Sequence, residues 1–284
     1  MSASVGVLYA VLALFAWGFS DFFAKLAVDR LGPMRSVFWV QGLQVIPFFA
    51  IYALFRPVFL LSDAILLVFA GVLNGMAFLF FYRSLGKGQL SILSPVTASW
   101  AVITAVLGIV LLGEALTKLQ SLAISIVFIG IVLASFHYAD LRRLNVRNAL
   151  PGVREALFSV VCFGFCVFLF GLAASGAGWM ASVLFYRFFA VVFIALASGP
   201  DISKLSVRLG ALPILILLAA LDAIGIVSFA AGAASEYIAI VSPIAAASPL
   251  VCVVLGRLFL GERISANQFL GVLLILAGVV LLAF

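Results

Sequence analysis

The chain consists of ten long hydrophobic runs separated by short polar connections. The runs lie at about 4–28, 34–55, 62–84, 89–112, 117–137, 153–175, 179–199, 208–232, 237–260 and 265–284. Each is close to the ~20 apolar residues that an α-helix needs to cross the hydrocarbon core of a bilayer. Transmembrane β-strands would show short segments of alternating polarity instead, and the sequence has none. The pattern therefore predicts an all-α membrane protein with ten transmembrane helices, numbered segments 1 to 10 in chain order.

The composition agrees with this prediction. Hydrophobic residues make up 67% of the 284 residues and charged residues 9%, and the mean hydropathy is +1.37. A soluble domain carries about 25% charged residues, so this chain has too few polar groups to cover a globular surface. We therefore expect an integral, multi-pass membrane protein. We expect its membrane to be the cell (inner) membrane of a bacterium or an archaeon.

Two distant stretches of the chain share one motif in the same register. The matched positions, without a gap, are Ser94, Pro95, Gly113, Glu114 and Gln120 against Ser242, Pro243, Gly261, Glu262 and Gln268. Chance matches of Leu or Val arise easily in so apolar a chain, whereas a matched Pro, Glu and Gln do not. The chain is therefore an internal duplication.

The duplication divides the chain into two halves of five helices. We assign residues 1–137 to the first repeat, 138–152 to a connecting loop with the charge and Pro-Gly content of a solvated linker, and 153–284 to the second repeat. Because five is an odd number, the second copy enters the membrane from the opposite side, and the repeats are inverted. Transporters built this way place their substrate near the middle of the membrane and alternate access by rocking one half against the other.

Further matched pieces point to a known family. Trp17 and Gly18 of segment 1, with Lys25 seven residues after the glycine, align with Phe163 and Gly164 of segment 6, and segments 4 and 9 each open on Ser-Pro and close on Gly-Glu. In these features and in its two five-helix repeats the chain resembles the EamA-type members of the drug/metabolite transporter superfamily. The resemblance implies a secondary carrier that exports amino acids, other small metabolites or drugs through a cavity lined by both repeats.

The few charges inside the helices are candidates for the functional site. A charge at the centre of a membrane helix costs about 2.5–3.5 kcal/mol unless it is paired or hydrated. Asp222 in segment 8 is either a protonatable group that couples proton movement to transport or a carboxylate held by Arg187 or by hydroxyl groups for packing. Arg187 in segment 7 either binds a substrate carboxylate or only neutralises Asp222. Relatives often carry an arginine in segment 2 as well, where this chain has Gln41.

Polar and aromatic side chains complete the predicted cavity. Asn74 and Gln41 occupy the repeat-equivalent positions of Asp222 and Arg187, and Tyr186 adjoins Arg187. Trp17 and Trp100 are the aromatic residues best placed to line a pocket. The alternative for each of these residues is ordinary packing within the bundle or contact with lipid.

Two further sets of residues are candidates for gating. Asp21 and Lys25 lie four residues apart on one face of segment 1, so they form either an internal ion pair or a gate that opens in one state. Pro95, Pro243 and Pro249 lie within or at the mouth of segments 4 and 9, where a missing amide permits a kink. These prolines are either static kinks or hinges bordering the site.

Several functions are disfavoured. The sequence has no phosphate-binding Gly-rich Lys loop and no nucleophile motif, which argues against ATP-driven transport and against an enzyme. Its three cysteines lie in apolar segments and its one histidine stands alone, so we expect neither a metal site nor another cofactor. The alternative to a transporter is a receptor or scaffold that uses the same fold without moving a substrate.

The net charge of +6 reflects loops rather than a nucleic-acid site. Lys and Arg concentrate on the membrane side opposite the two ends of the chain, which the positive-inside rule assigns to the cytoplasm. Relatives are described with cytoplasmic termini, so two orientations stay open. The expected partners are a small-molecule substrate, the bilayer with its anionic lipids, and protons. The sequence leaves the oligomeric state open and is compatible with a monomer.

Overall fold

The computed structural model describes residues 5–55, 61–113, 117–135, 151–199, 205–261 and 265–282, which are helical apart from short turns. The helices are α1 (Val5–Leu31), α2 (Pro33–Phe55), α3 (Leu61–Leu85), α4 (Leu90–Ala98), α5 (Trp100–Leu112), α6 (Lys118–Ser135), α7 (Val153–Ala177), α8 (Trp179–Ala197), α9 (Leu212–Ala233), α10 (Ile238–Ala245), α11 (Pro249–Phe259) and α12 (Ala266–Leu282). Helices suit so apolar a chain because lipid offers no partner to a free backbone N–H or C=O.

Length and hydropathy identify the membrane-crossing parts. In the described residues seven helical stretches are long and apolar enough to cross a membrane, and they correspond to segments 1, 2, 3, 4, 6, 8 and 9. Shorter apolar stretches at Lys118–Gly130, Ala181–Ala197 and Phe269–Gly278 correspond to segments 5, 7 and 10. The predicted fold, an all-α membrane protein with ten segments in two five-helix repeats, is confirmed.

The outer surface of the bundle is apolar. Leu54, Val110 and Leu196 expose 79%, 71% and 76% of their surface. A contiguous apolar exterior of this kind would be unfavourable in water, and it is the surface that a bilayer solvates. The polar side chains Gln41 and Asn74 are instead fully buried within the bundle.

Segments 4 and 9 are each divided into two helices. α4 passes into α5 through Ser99, and α10 is separated from α11 by residues 246–248, so the two breaks fall at repeat-equivalent positions. Pro249 begins α11, where its missing amide cannot bond to the preceding turn. The first half has no proline at its break. There the Ser99 hydroxyl donates to the Val96 carbonyl at 2.6 Å.

The predicted prolines Pro95 and Pro243 lie inside α4 and α10, one turn before these breaks. Both α5 and α11 are followed by a glycine of the repeated Gly-Glu motif, Gly113 with φ 66° and Gly261 with φ 67°. A positive φ is strained for residues with a Cβ, which explains why the repeat has glycine at both places.

The packing has the two-fold character of an inverted repeat. α1 packs along α9 as α3 packs along α7, and α6 packs against its own counterpart α12. A Cβ added to Gly18 would lie 2.5 Å from the Cβ of Val251, and one added to its equivalent Gly164 would lie 2.5 Å from the Cβ of Ile103, the equivalent of Val251. Both glycines are therefore required for the same close helix contact.

Hydrogen bonds repeat in the same way. The Thr104 hydroxyl donates to the Gly164 carbonyl at 3.0 Å, and its equivalent, the Cys252 thiol, donates to the Gly18 carbonyl at 3.4 Å. In each half, the second helix of the divided segment, α5 or α11, thus bonds to the first helix of the other half. The site between the halves is built from equivalent parts.

Some sequence predictions lie outside the described residues. They include Glu114 and Glu262 of the repeated motif and most of the predicted loop 138–152, of which Pro151 and Gly152 form a turn. The predicted boundaries of the two repeats, 1–137 and 153–284, stay predictions.

Candidate functional site

A cavity lies between the two halves, close to the helix breaks. Its volume is about 60 Å³, several times the ~10–15 Å³ that one water requires by the same measure, so it has room for a small molecule or a group of waters. Its walls include four pairs of repeat-equivalent residues: Trp17 and Phe163, Asp21 and Val167, Phe78 and Ile226, and Trp100 and Ser248. Both repeats therefore form one site.

Arg187 and Asp222 form a buried ion pair in the cavity wall. Nη2 of Arg187 in α8 lies 3.0 Å from Oδ2 of Asp222 in α9, and both side chains are at most 3% exposed. The guanidinium also lies 5.3 Å from the ring centroids of Phe78 and Tyr186. Each residue thus has the other as its partner and also faces the cavity. The arrangement is compatible both with an ion pair that serves packing and with a site that contacts the substrate.

Glutamines of α2 hold this ion pair from behind. Nη1 of Arg187 donates to Oε1 of Gln41 at 2.5 Å, and Nε2 of Gln44 donates to Oδ2 of Asp222 at 2.9 Å. Gln41 is a predicted cavity residue that lies behind the wall instead, because the longer arginine occupies the space between it and the cavity. The repeat-equivalent pair Gln41 and Arg187 meets in direct contact.

Asn74 is also placed behind the cavity wall. Its amide nitrogen donates to the hydroxyl of Tyr186, which itself faces the cavity. The Sγ atom of Cys166 lies 3.9 Å from the same hydroxyl. Asn74 therefore orients Tyr186 and reaches the cavity only through it.

This polar cluster retains unused hydrogen-bonding groups. Within the described residues, Nε2 of Gln41, Oε1 of Gln44, Oδ1 of Asn74 and Nε of Arg187 are buried without a partner. Burying polar atoms unpaired costs free energy, and most buried polar groups are paired. The cluster is therefore poorly explained as packing alone.

Asp21 faces the cavity and accepts a hydrogen bond from the Ser94 hydroxyl at 2.9 Å. The expected ion pair between Asp21 and Lys25 is not what the structure shows. Nζ of Lys25 instead bonds to Oδ1 of Asp29 at 2.8 Å and to the Leu85 carbonyl at 3.0 Å. The long lysine side chain extends toward the end of the helix, where its charge is less costly, while the shorter aspartate stays in the interior.

Trp17 and Trp100 meet across the cavity. Their ring centroids lie 6.1 Å apart with the planes 83° to each other, and both rings also contact Phe229. A Cβ added at Gly225 would lie 2.3 Å from the indole of Trp17, so this glycine makes room for the ring. The two indoles thus line the same cavity as the carboxylate of Asp21.

The three predicted hinge prolines do not line the cavity. Pro95 and Pro243 lie in the first helix of each divided segment and Pro249 at the start of α11, whereas Ser94, Thr97 and Ser248 beside them face the cavity. Any effect of the prolines on the site acts through the position of these neighbouring residues.

Several site residues were missed from the sequence, namely Gln44, Phe78, Phe81, Ser94, Thr97, Phe163, Val167, Ile226 and Ser248. The repeat alignment offered a signal for some of them. Phe163, Val167 and Ser248 are the equivalents of Trp17, Asp21 and Trp100, so a cavity residue in one half marks its counterpart in the other. Gln44 had no such signal, because its equivalent is Ala190.

The described residues hold no group of three or more His, Cys, Asp or Glu arranged to bind a metal ion. The three cysteines, Cys162, Cys166 and Cys252, are buried and form no disulfide.

Comparison with known families decides the class of this protein. The model of the EamA-like transporter family matches residues 4–136 and again residues 150–284. The chain belongs to the EamA-like transporter family. The resemblance inferred from the sequence is thereby confirmed, and the chain is a multi-pass membrane transporter of the drug/metabolite type.

Two known proteins are similar to this EamA-like transporter, one in sequence and one in fold. An uncharacterized protein of the archaeon Methanocaldococcus jannaschii is 30% identical over 133 residues, which are 46% of this chain and 93% of that protein. A protein of known crystal structure superimposes with a TM-score of 0.72 at 16% identity, covering 99% of this chain and 98% of the other. At that identity the second likeness shows the fold alone.

Proposed function

We propose that this EamA-like transporter exports small amphipathic metabolites, such as amino acids or similar molecules, by alternating access. The observation that carries the proposal is the cavity between the repeats, whose walls contain equivalent residues from both halves, such as Trp17 with Phe163 and Trp100 with Ser248. In inverted-repeat carriers the halves exchange conformations between the two states, so a site shared by both halves faces either side in turn.

The divided segments support this mechanism. α4 and α5 meet at Ser99, and α10 and α11 meet at residues 246–248, in both cases beside cavity residues. A change of angle at either break moves one wall of the cavity while the paired helices α1 with α9 and α3 with α7 remain packed. The repeat-equivalent breaks give each half its own moving wall.

The chemistry of the wall supports an amphipathic substrate. Charged groups of Asp21, Arg187 and Asp222 lie beside the aromatic rings of Trp17 and Trp100. A molecule with both a charged and an apolar part satisfies this surface better than either a sugar or a hydrocarbon. The carboxylate of Asp21 also supports proton coupling, because it faces the cavity and a carboxylate is a group that can carry a proton.

We further infer the setting of the transporter. The archaeal relative supports a prokaryotic cell membrane. The excess of Lys and Arg on the side of Lys25, Arg35, Arg83 and Lys87 supports a cytoplasmic location for that side. Cysteines introduced at Arg35 and at Leu112, at opposite ends of the bundle, test this: an impermeant maleimide added to whole cells should label only the position at Leu112.

The transport proposal is tested by counterflow in proteoliposomes. Purified protein is reconstituted, loaded with an unlabelled metabolite, and the accumulation of the same labelled metabolite is followed over a panel of amino acids, amines and organic acids. We expect accumulation of at least one compound, lost in Arg187→Ala and retained in Phe69→Leu, whose parent side chain is 62% exposed to lipid. Saturable binding without any flux across the panel would favour a receptor and contradict the proposal.

A further inference from the structure

The charges that face the cavity do not balance. Its described wall contains one arginine, Arg187, and two aspartates, Asp21 and Asp222. Arg187 lies 3.0 Å from Asp222, so these two charges neutralise each other. Within the described part of the chain, the side-chain donor to Asp21 is a neutral group, the Ser94 hydroxyl at 2.9 Å.

The lysine on the same helix, Lys25, does not neutralise the charge of Asp21. Lys25 lies one turn further along α1, but its ammonium is held by Asp29 at 2.8 Å and by the Leu85 carbonyl at 3.0 Å. It extends away from the cavity, which its side chain does not line. The local ion pair of α1 is therefore complete without Asp21.

The ionisable groups on neighbouring helices are acidic or neutral. Asp222 of α9 and Tyr82 of α3 lie close enough to interact electrostatically with Asp21. Sγ of Cys252 in α11 lies 3.4 Å from the Ser94 hydroxyl. No described neighbour brings an uncommitted positive charge toward Asp21.

The walls next to Asp21 are suited to a cation. Trp17 lies four residues before Asp21, one helical turn away on the same face of α1, and Trp100 stands perpendicular to it at 6.1 Å. Indole faces attract ammonium groups, and Trp is the most effective aromatic residue in such contacts. A carboxylate combined with two indoles is an arrangement that favours amines over anions.

We propose that Asp21, Trp17 and Trp100 form the subsite for a positively charged amine, and that the transported molecules are organic amines. The inference rests on the proposed function, because it takes the cavity to be the transport site. The substrate ammonium supplies the charge that the wall lacks. Its apolar part then lies toward Phe78, Phe163 and Ile226.

An anionic substrate fits this wall poorly. The charge of Arg187 is already matched by a carboxylate, because its Nη2 lies 3.0 Å from Asp222 while its Nη1 donates to Gln41 at 2.5 Å. A substrate carboxylate would have to share Arg187 with Asp222 and would also meet the like charge of Asp21. The cavity therefore discriminates by charge.

Calorimetric binding to the full chain in lipid nanodiscs tests the proposal. The probes are phenyltrimethylammonium, benzyl alcohol and benzoate, which share an aromatic ring and differ in charge. We expect phenyltrimethylammonium to bind at least tenfold more tightly than the other two. Equal affinity for the three probes, or tighter binding of benzoate, would overturn the proposal.

Substitutions at Asp21 and Trp17 test whether these residues bind the phenyltrimethylammonium. Asp21→Asn preserves the shape and the acceptor for Ser94, and should weaken phenyltrimethylammonium binding at least tenfold, whereas Asp21→Glu should retain most of it. Trp17→Leu should weaken it severalfold. Trp39→Phe is the matched control, because Trp39 does not line the cavity. Its indole N–H donates to the Leu205 carbonyl, with a distance of 2.6 Å between the two atoms. Unchanged binding in folded Asp21→Asn protein would contradict the subsite.

Flux measurements separate this inference from the transport proposal. If wild-type protein moves amino acids or organic acids and Asp21→Asn does so equally well, the amine assignment fails and the transport function stands. If phenyltrimethylammonium binds in an Asp21-dependent manner but no amine is moved in counterflow, the subsite stands and the transport function fails.

Discussion

Arg187 and Asp222 come from adjacent helices of the second repeat and form a buried ion pair of 3.0 Å in the cavity wall. Their equivalents in the first repeat are the neutral residues Gln41 and Asn74, so only one half of the protein carries this charge pair. The pair joins the two halves, because Gln41 and Gln44 of α2 hydrogen-bond to its members.

Breaking this pair should destabilise the protein strongly. Arg187→Gln or Asp222→Asn leaves one buried group without its partner, a loss of about 3–5 kcal/mol for buried ion pairs. The double variant should unfold at a higher temperature than at least one single variant, because it leaves no unpaired charge. Thermal unfolding followed by tryptophan fluorescence measures this order.

The exposed ion pair between Lys87 and Glu155 is the control for this comparison of single and double variants. Its atoms are 2.5 Å apart, but the side chains are 54% and 22% exposed. Pairs of this kind contribute at most about 1 kcal/mol. Comparable losses from the two pairs, or strictly additive effects of Arg187→Gln and Asp222→Asn, would contradict the role given to the buried pair.

The ten segments, the two repeats and their inversion could be predicted from the sequence, because apolar runs and a repeated motif are local patterns. Trp17, Trp100, Asp21, Tyr186, Arg187 and Asp222 were also named from the sequence, since charges and large aromatic rings are few or conspicuous in this chain. The structure places all six in the cavity wall.

Partner choice could not be predicted in the same way. Lys25 has two aspartates four residues away, Asp21 and Asp29, and only the packing of α1 shows that it pairs with Asp29. The sequence also could not predict which polar residues line the cavity and which lie behind its wall. That difference depends on how far the side chains of Arg187 and Tyr186 extend past those of Gln41 and Asn74. Neither depends on spacing along the chain.

Cation binding should depend on pH through Asp21. A protonated carboxyl is neutral, so phenyltrimethylammonium should bind more tightly as the pH rises and Asp21 loses its proton. The probe is permanently charged, so the change must come from the protein. Calorimetry at a series of pH values should show this trend in wild-type protein and a flat profile in Asp21→Asn. A persisting trend in that variant would assign the titration to another group.

The carboxylate should be transferable between the repeats. Val167 is the equivalent of Asp21 and faces the same cavity. The hydroxyl of Ser242, the equivalent of Ser94, is buried and has no hydrogen-bond partner among the residues that the structure describes. Asp21→Val should abolish phenyltrimethylammonium binding, and adding Val167→Asp should recover at least part of the affinity. No recovery in a folded double variant would show that the two positions are not functionally equivalent.

The prolines of the divided segments should act oppositely on the two states. Pro95→Ala and Pro243→Ala each restore an amide and a helical hydrogen bond, which disfavours the bend in one half. Because inverted repeats exchange roles, the two substitutions should shift the inward/outward balance in opposite directions. Shifts in the same direction, or none, measured by cysteine accessibility from each side, would leave the prolines as static kinks.

Two-sided cysteine labelling of the cavity tests alternating access most directly. Single cysteines replace Val167 or Ser248 in a chain from which Cys162, Cys166 and Cys252 have been removed, and an impermeant maleimide is applied to proteoliposomes from outside or enclosed within them. Alternating access predicts that each position is labelled from both sides. A saturating amine should change the labelling rate from outside and the labelling rate from within in opposite directions. Labelling from one side only, whatever the ligand, would contradict it.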